Sequence, residues 1–183
     1  MVNKAKNKIR QLIKESKRKV SFQEKQNRST PILEKVEQLD AFKKAGKVMI
    51  YWSLPDEVHT HNFVQKWAKE KEIILPVVKG DVLELRKFTS MQDMQQEPVF
   101  GIYEPTGPIE NGPESIDLIV VPGVAFDNNR NRLGRGKAYY DKLLQNTKAF
   151  KVGICFDFQL VPEVPIDEFD IPMDLVVAET VEK

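Results

Sequence analysis

Short apolar runs that alternate with helix-like stretches constrain this chain more than any other feature of its sequence. Val48-Met49-Ile50-Tyr51-Trp52, Ile73-Ile74-Leu75-Pro76-Val77-Val78, Asp117-Leu118-Ile119-Val120-Val121, Lys151 to Phe156 and Asp174 to Ala178 all have the length of a buried strand. Val82 to Phe88 alternates apolar and polar residues, as a half-exposed strand does. Between the runs, His59 to Lys71 carries Phe63, Val64, Trp67 and Ala68 on one helical face. This order predicts an α/β fold, a three-layer α/β/α arrangement around a mostly parallel sheet. In such sheets ligands sit outside the C-terminal strand ends, which points to the loops after Trp52, Val78, Val121 and Phe156.

Ahead of the first strand the sequence reads as helices. Ile9, Leu12, Ile13 and Val20 recur at roughly helical spacing among lysines. Ser21-Phe22-Gln23-Glu24 has the form of a capping box. The helix it opens is expected to run towards Lys44, with Gly46 as its stop and with Pro31 ending or kinking it. Residues 1–183 are therefore read as a single domain, with a helical part at 1–45 and a sheet part at 46–183. A long Pro- and Gly-containing connection runs from Thr89 to Glu114, and loops of that length usually carry function or move.

Composition excludes several classes of function. The chain has 183 residues, 41% of them hydrophobic, enough for one good core. Its 28 Lys+Arg against 27 Asp+Glu leave a charge of +1, which is no footprint for bulk nucleic-acid binding. The segment from Asn3 to Lys19 is nonetheless basic, and Glu163 to Glu182 is acidic. Cys155 is the only cysteine, so neither an internal disulfide nor a thiolate metal cluster is available. His59 and His61 cannot build a three-histidine site. No apolar run follows the basic N-terminus and none reaches membrane-spanning length, so a cytoplasmic protein away from any membrane is expected.

The stretch from Pro122 to Leu144, PGVAFDNNRNRLGRGKAYYDKLL, follows the most convincing strand. Gly134-Arg135-Gly136 lets backbone approach an anion, and a helix from about Gly136 to Gln145 would then offer unpaired N–H groups. Arg130, Arg132, Arg135 and Lys137 supply cationic donors, and Asp127 is placed to meet magnesium. A glycine-rich turn with solvated arginines is the plainer reading of the same residues. The spacing matches neither the P-loop nor the dinucleotide fingerprint.

The whole string, however, resembles the signature of the 5-formyltetrahydrofolate cyclo-ligase family, in which an R-L-G-x-G-x-G-Y-Y-D run follows P-G-x-A-F-D. Pro122, Gly123, Ala125, Phe126, Asp127, Arg132, Leu133, Gly134, Gly136, Tyr139, Tyr140 and Asp141 match in register. Lys6 and Arg10 fit a K-x-x-L-R motif with Ile9 for leucine, and Pro55, Glu57, Val58 and Thr60 fit P-x-E-V-x-T. Leu75-Pro76, Gly101-Ile102-Tyr103-Glu104-Pro105 and the segment from Val164 to Asp170 continue the match, which covers nearly the entire chain. Arg130 stands where the family often has glycine, Ala138 where its third glycine is usual, Lys137 for a small residue, Phe169 for a histidine and Ala178 for a threonine.

The resemblance implies ATP-dependent ring closure of 5-formyltetrahydrofolate, with or without a polyglutamate tail, by a monomeric enzyme using magnesium. It assigns ATP to Lys6, Arg10, Arg132, Leu133, Gly134, Arg135, Gly136, Lys137, Ala138 and Tyr139, and catalysis to Arg132, Lys137 and Tyr139. It assigns the folate to Trp52, Glu57, Phe100, Glu104 and Tyr140, and the metal to Asp127 and Asp174. Plainer roles stand beside these. Glu57 sits where a helix start favours an acid, and Glu104 beside Pro105 suits a turn. At least one of Tyr139 and Tyr140 is expected to be a packing ring, lone aromatics such as Trp52 and Phe100 are usually core, and Asp174 suits a bond to nearby backbone. His59 and His61 read as surface residues, and Cys155 as a buried small hydrophobe. Rival functions are a sugar-phosphate isomerase using the same anion loop, and a nucleotide-binding regulatory module or inactive homologue, for which Ala138 and Phe169 would speak.

Overall fold

The computed structural model describes residues 2–98 and 101–180. Helix α1 (Val2–Arg18) is followed by α2 (Phe22–Gln38), α3 (Asp40–Lys44), α4 (His61–Trp67) and α5 (Tyr139–Leu144). The strands are β1 (Lys47–Met49), β2 (Glu72–Lys79), β3 (Val82–Lys87), β4 (Met94–Gln96), β5 (Tyr103–Pro105), β6 (Ile109–Glu110), β7 (Leu118–Pro122), β8 (Ala125–Phe126), β9 (Arg132–Leu133), β10 (Phe150–Ile154) and β11 (Leu175–Val177). Among the described residues no helix is long and apolar enough to cross a membrane.

The main sheet has the order β11-β10-β7-β1-β2-β3-β6. Its strands from β11 to β2 are parallel, whereas β3 and β6 add an antiparallel edge. Strand alternation sorts the apolar side chains onto two faces. Val48, Ile73, Leu118 and Val120 meet α2, α3 and α4 on one face, while Met49, Ile74, Ile119 and Val121 meet α5 on the other. The expected three layers follow from this sorting.

Two helices depart from the sequence reading, each for a local reason. Ser21 Oγ accepts from Glu24 N at 3.2 Å and starts α2 as expected, but the helix does not end at Pro31 and continues to Gln38. Ile32 and Val36 are fully buried and Leu33 nearly so. Each such burial contributes roughly 1.5–3 kcal/mol, which together outweigh the ~3 kcal/mol cost of an internal proline. Leu39, at ψ 132°, breaks the segment before α3 instead. Helix α5, expected from Gly136, begins only at Tyr139, because Ala138 is left-handed at φ 55°.

The chain crosses from β1 to β2 on one side and returns to β7 on the other, so the sheet has its topological switch between β1 and β7. The crevice at their C-terminal ends is where such a sheet holds ligands. Helix α1 lies across the small β8–β9 sheet, its Ile13 packing with Ala125, Leu133 and Val164. Leu12, grouped with Ile13 by spacing, is exposed.

Candidate active site

A cleft of about 500 Å³ opens at this switch point. Tyr51, Trp52 and Glu57 come to it from the segment after β1, Pro76 and Val78 from β2, Tyr103 and Glu104 from β5, and Pro122 and Gly123 from the end of β7 and the residue after it. Arg132, Gly134, Arg135 and Lys137 to Asp141 form the remaining wall. Residues given to ATP and residues given to the folate thus share one cavity. The loop after Phe156, also expected there, does not line it. Instead Gln159 braces the floor, donating from Nε2 to the carbonyls of Gly123 at 2.9 Å and Val124 at 3.0 Å.

The glycine loop is shaped by close contacts. A Cβ on Gly123 would lie 2.5 Å from the buried Phe126 ring, so only glycine fits there. Gly134 passes the Arg132 guanidinium so closely that a Cβ would be 2.9 Å from Nη1. Arg10 of α1 donates from Nε to the Gly134 carbonyl at 2.9 Å, which fixes the loop from outside the cleft. Arg130 and Ala138, the two residues standing in for family glycines, are the non-glycine residues with positive φ among those described, at 66° and 55°. The fold keeps the glycine conformation although the side chains have changed.

Arg132 is buried, and its Nη2 donates to Asp141 at 2.6 Å and its Nη1 to the Pro122 carbonyl at 3.3 Å. Its Nε and the Tyr140 hydroxyl are the buried side-chain polar atoms without a partner among the described residues. A buried polar group left unpaired costs about 1–3 kcal/mol, so each would be stabilised by a hydrogen-bonding partner brought into the cleft. Tyr140 also packs its ring into the sheet's second core cluster, and burial pushes its hydroxyl well above the ordinary tyrosine range. Tyr139 faces the cleft but donates its hydroxyl to the Gly80 carbonyl at 3.2 Å, closing the side towards the β2–β3 turn. Lys137 is exposed, with no ion-pair partner among the described residues.

Charge is distributed unevenly around the mouth. Arg135 Nη2 donates to Asp56 at 2.8 Å and to Glu57 at 2.9 Å, and Lys17 of α1 donates to the other Asp56 oxygen at 2.9 Å. Burial opposes the charge of Asp56, yet Lys17 and Arg135 outweigh it and hold this carboxyl below its ordinary range. Glu57 also accepts from Leu54 N at 2.9 Å. Glu104 pairs with Gln95 through its backbone and lines the cleft, its carboxylate making no hydrogen bond among the described residues. Phe100 lies outside the described residues.

Three assigned residues are elsewhere engaged. Lys6 is buried and bonded to Asp167 at 2.8 Å and to Asp170, so its ammonium is neutralised outside the cleft lining. Asp127 is buried, with Oδ1 accepting from Asn129 N and Asn131 N, and Oδ2 from Asn131 Nδ2 and Val164 N. Its lone pairs are spent on shaping the loop, and it does not fit a magnesium ligand. Asp174 accepts from Lys151 N at 2.7 Å and Nζ at 2.8 Å, which is the backbone role rather than the metal role. Among the described residues no group of three His, Cys, Asp or Glu could hold a metal ion.

The sequence reading gave no role to Asp56, Lys17 or Asp141, and it missed the apolar wall of Val78, Leu83 and Tyr103. The wall was legible only in part: Val78 and Tyr103 are exposed apolar residues, and Val78 pairs with Leu83 across β2 and β3.

The family model for the 5-formyltetrahydrofolate cyclo-ligase family matches residues 2–179. The chain belongs to this family. A mouse relative named 5-formyltetrahydrofolate cyclo-ligase is 30% identical over 97% of this chain and 95% of its own length. The Haemophilus influenzae relative of the same name is 34% identical over 74% of this chain and 77% of its own. Among solved structures, the Aquifex aeolicus 5,10-methenyltetrahydrofolate synthetase superposes with a TM-score of 0.86 at 37% identity, over 97% of this chain and 91% of that one. The Mycoplasma pneumoniae synthetase, at 24% identity and a TM-score of 0.76 over 94% of this chain and 97% of that one, shares the fold. This cyclo-ligase family member is accordingly an enzyme on the expected α/β scaffold.

Proposed function

We propose that the enzyme converts 5-formyltetrahydrofolate and ATP to 5,10-methenyltetrahydrofolate, ADP and phosphate. The observation that supports it best is the single cleft, in which a glycine-lined cationic loop faces an apolar wall carrying Glu57 and Glu104. Polyphosphate suits the loop, and a flat, amide-bearing heterocycle suits the wall.

The chemistry explains why ATP is spent. An N5-formyl group is an amide whose oxygen is a poor leaving group. Transfer of the γ-phosphoryl group to that oxygen converts it to a phosphate ester. N10 then attacks the formyl carbon, loses its proton, and phosphate departs with the original formyl oxygen. Such transfer depends on positioning and charge neutralisation, with no covalent residue required. Arg132, held by Asp141 with its Nε unpaired, is the group assigned to the transferring phosphoryl oxygens. Arg135, Lys137 and the backbone from Gly134 to Ala138 hold the remaining phosphates, while Arg10 keeps Gly134 in place. Tyr140 and Glu104 face the folate, together with Trp52 and Glu57.

Lys6, paired with Asp167 and Asp170, stands outside the cleft lining, and Tyr139 bounds the cleft. Magnesium is read as travelling with the nucleotide, because it keeps several waters and binds substrate phosphates readily. A monomeric cytoplasmic enzyme of small molecules remains the wider reading.

Mixing the protein with Mg-ATP and 5-formyltetrahydrofolate should produce the near-ultraviolet band of the methenyl product together with ADP. A folded protein giving neither would overturn the proposal.

A further inference from the structure

His59 and His61, expected at the surface as unremarkable residues, belong to a chain of rings that ends in the cleft. Trp52, a cleft-lining residue, stacks on His61 with centroids 3.8 Å apart and planes 10° from parallel. Phe88, buried beneath the sheet edge, stacks on the same indole at 6.1 Å and 19°. On the outer side His59 meets His61 at 4.3 Å, and Phe22 of α2 meets His59 edge-on at 6.1 Å.

The His61 ring is pinned as well as stacked. Its Nε2 lies 3.0 Å from the Ser53 carbonyl, so Nε2 carries the proton and donates to the residue next to Trp52. The backbone beneath both rings is clamped. Thr60, fully buried, donates from Oγ1 to the Tyr51 carbonyl at 2.6 Å and accepts from Ser53 N at 3.1 Å. Thr60 N donates in turn to Ser53 Oγ at 3.0 Å. His61 thus stands at the start of α4 on a rigid footing, flat against the indole. Burial keeps its imidazole neutral at physiological pH, which suits stacking between uncharged rings.

We infer that His61 is a positioning residue for the folate half of the cleft: it holds Trp52 in the one orientation that presents a rigid aromatic wall to the flat ring of the substrate. This rests on the cyclo-ligase reading and adds to it a residue outside the glycine loop. Without His61 the indole keeps only the Phe88 contact and gains rotamer freedom that substrate binding must then remove. The effect falls on the binding of one substrate. It leaves ATP and the phosphoryl-transfer step alone, since among the described residues no hydrogen bond or ring contact joins the ring chain to the glycine loop.

The test is steady-state kinetics of His61→Ala, His61→Phe and His61→Gln with both substrates varied. His61→Ala is expected to raise the KM for 5-formyltetrahydrofolate about three- to tenfold, the range of a lost stacking contact. The KM for ATP and kcat are expected to stay within about twofold. His61→Phe, which keeps the stack and loses the Ser53 bond, is expected to restore the folate KM, and His61→Gln, which keeps a donor and loses the stack, is not. If His61→Ala fails to fold, the Phe and Gln variants decide between them. An unchanged folate KM in folded His61→Ala, an equal rise in both KM values, or a Gln variant that rescues better than Phe would overturn the inference. Absence of turnover in the unsubstituted enzyme would instead fail the cyclo-ligase reading on which it rests.

Discussion

Arg135 Nη2 lies 2.9 Å from Glu57 Oε1, so a residue of the glycine loop is bonded across the cleft to a residue of the wall proposed for the folate. One guanidinium therefore connects the two halves of the cleft, and Asp56 shares it at 2.8 Å. On the proposed function, nucleotide phosphates would compete with these carboxylates for Arg135, releasing Glu57 to accept from the folate and linking occupancy of the two halves.

Because Arg135 is half-exposed, its ion pairs contribute at most ~1 kcal/mol to stability. A charge-assisted contact to phosphate is worth about 1.5–3 kcal/mol. Arg135→Ala is therefore expected to leave the urea midpoint nearly unchanged while raising the KM for ATP about tenfold or more. A large loss of stability with an unmoved ATP KM would make Arg135 a structural residue.

Arg132 predicts the opposite balance. It is buried against Asp141, and removing one partner of a buried pair costs about 3–5 kcal/mol. Arg132→Ala is expected to lose stability on that scale in urea unfolding and to lose turnover. If both the KM for ATP and kcat were unchanged, the phosphate role given to Arg132 would be wrong.

Ala138 carries backbone strain at φ 55°. A left-handed L-residue costs roughly 1–2 kcal/mol, of which glycine's extra unfolded-state entropy returns about 0.4–1 kcal/mol. Ala138→Gly is expected to stabilise by up to ~1 kcal/mol, raising Tm by about 2–4 °C in a chain of this size. A lowered Tm would show that the alanine is accommodated without strain.

His61 makes stability depend on pH. Burial, with His59 nearby, lowers its pKa from 6.5 to about 4 in the folded state. Between those values the unfolded chain binds a proton that the folded chain does not, so stability is full above pH 6.5 and declines as pH falls towards about 4. Partial exposure of the ring keeps the slope below ~1.4 kcal/mol per pH unit. His61→Phe is expected to flatten this part of the profile in urea midpoints measured across the interval. Identical slopes in both proteins would contradict the assignment.

Most of the scaffold was legible in the sequence because its strands are apolar runs with turn residues between them. Ile73 to Val78 and Leu118 to Val121 fall inside β2 and β7. Met94-Gln95-Gln96 is too short and polar after Met94 to give a strand pattern, and β4 forms by pairing with β5 while Met94 enters the core. Helix α5 was placed too early because Ala138 suits a helix, although it stands where the family's third glycine is usual and adopts that residue's left-handed backbone. The close-packed glycine loop was legible through its long motif, but partner choice within it was not. Asp127 looked like a free carboxylate at a strand end. The Asn128-Asn129-Arg130-Asn131 turn that follows folds back and takes it up, as Asp-led turns commonly do. Lys6 was likewise claimed by Asp167 and Asp170, residues more than 160 positions away that no local pattern could supply.

The most direct test of the account is the fate of the formyl oxygen. The enzyme would be given 5-formyltetrahydrofolate carrying oxygen-18 in the formyl group, with unlabelled Mg-ATP, and the released phosphate analysed by mass. Phosphoryl transfer to the formyl oxygen within the shared cleft predicts one labelled oxygen in each phosphate formed. Unlabelled phosphate, with the heavy oxygen recovered in water, would contradict it.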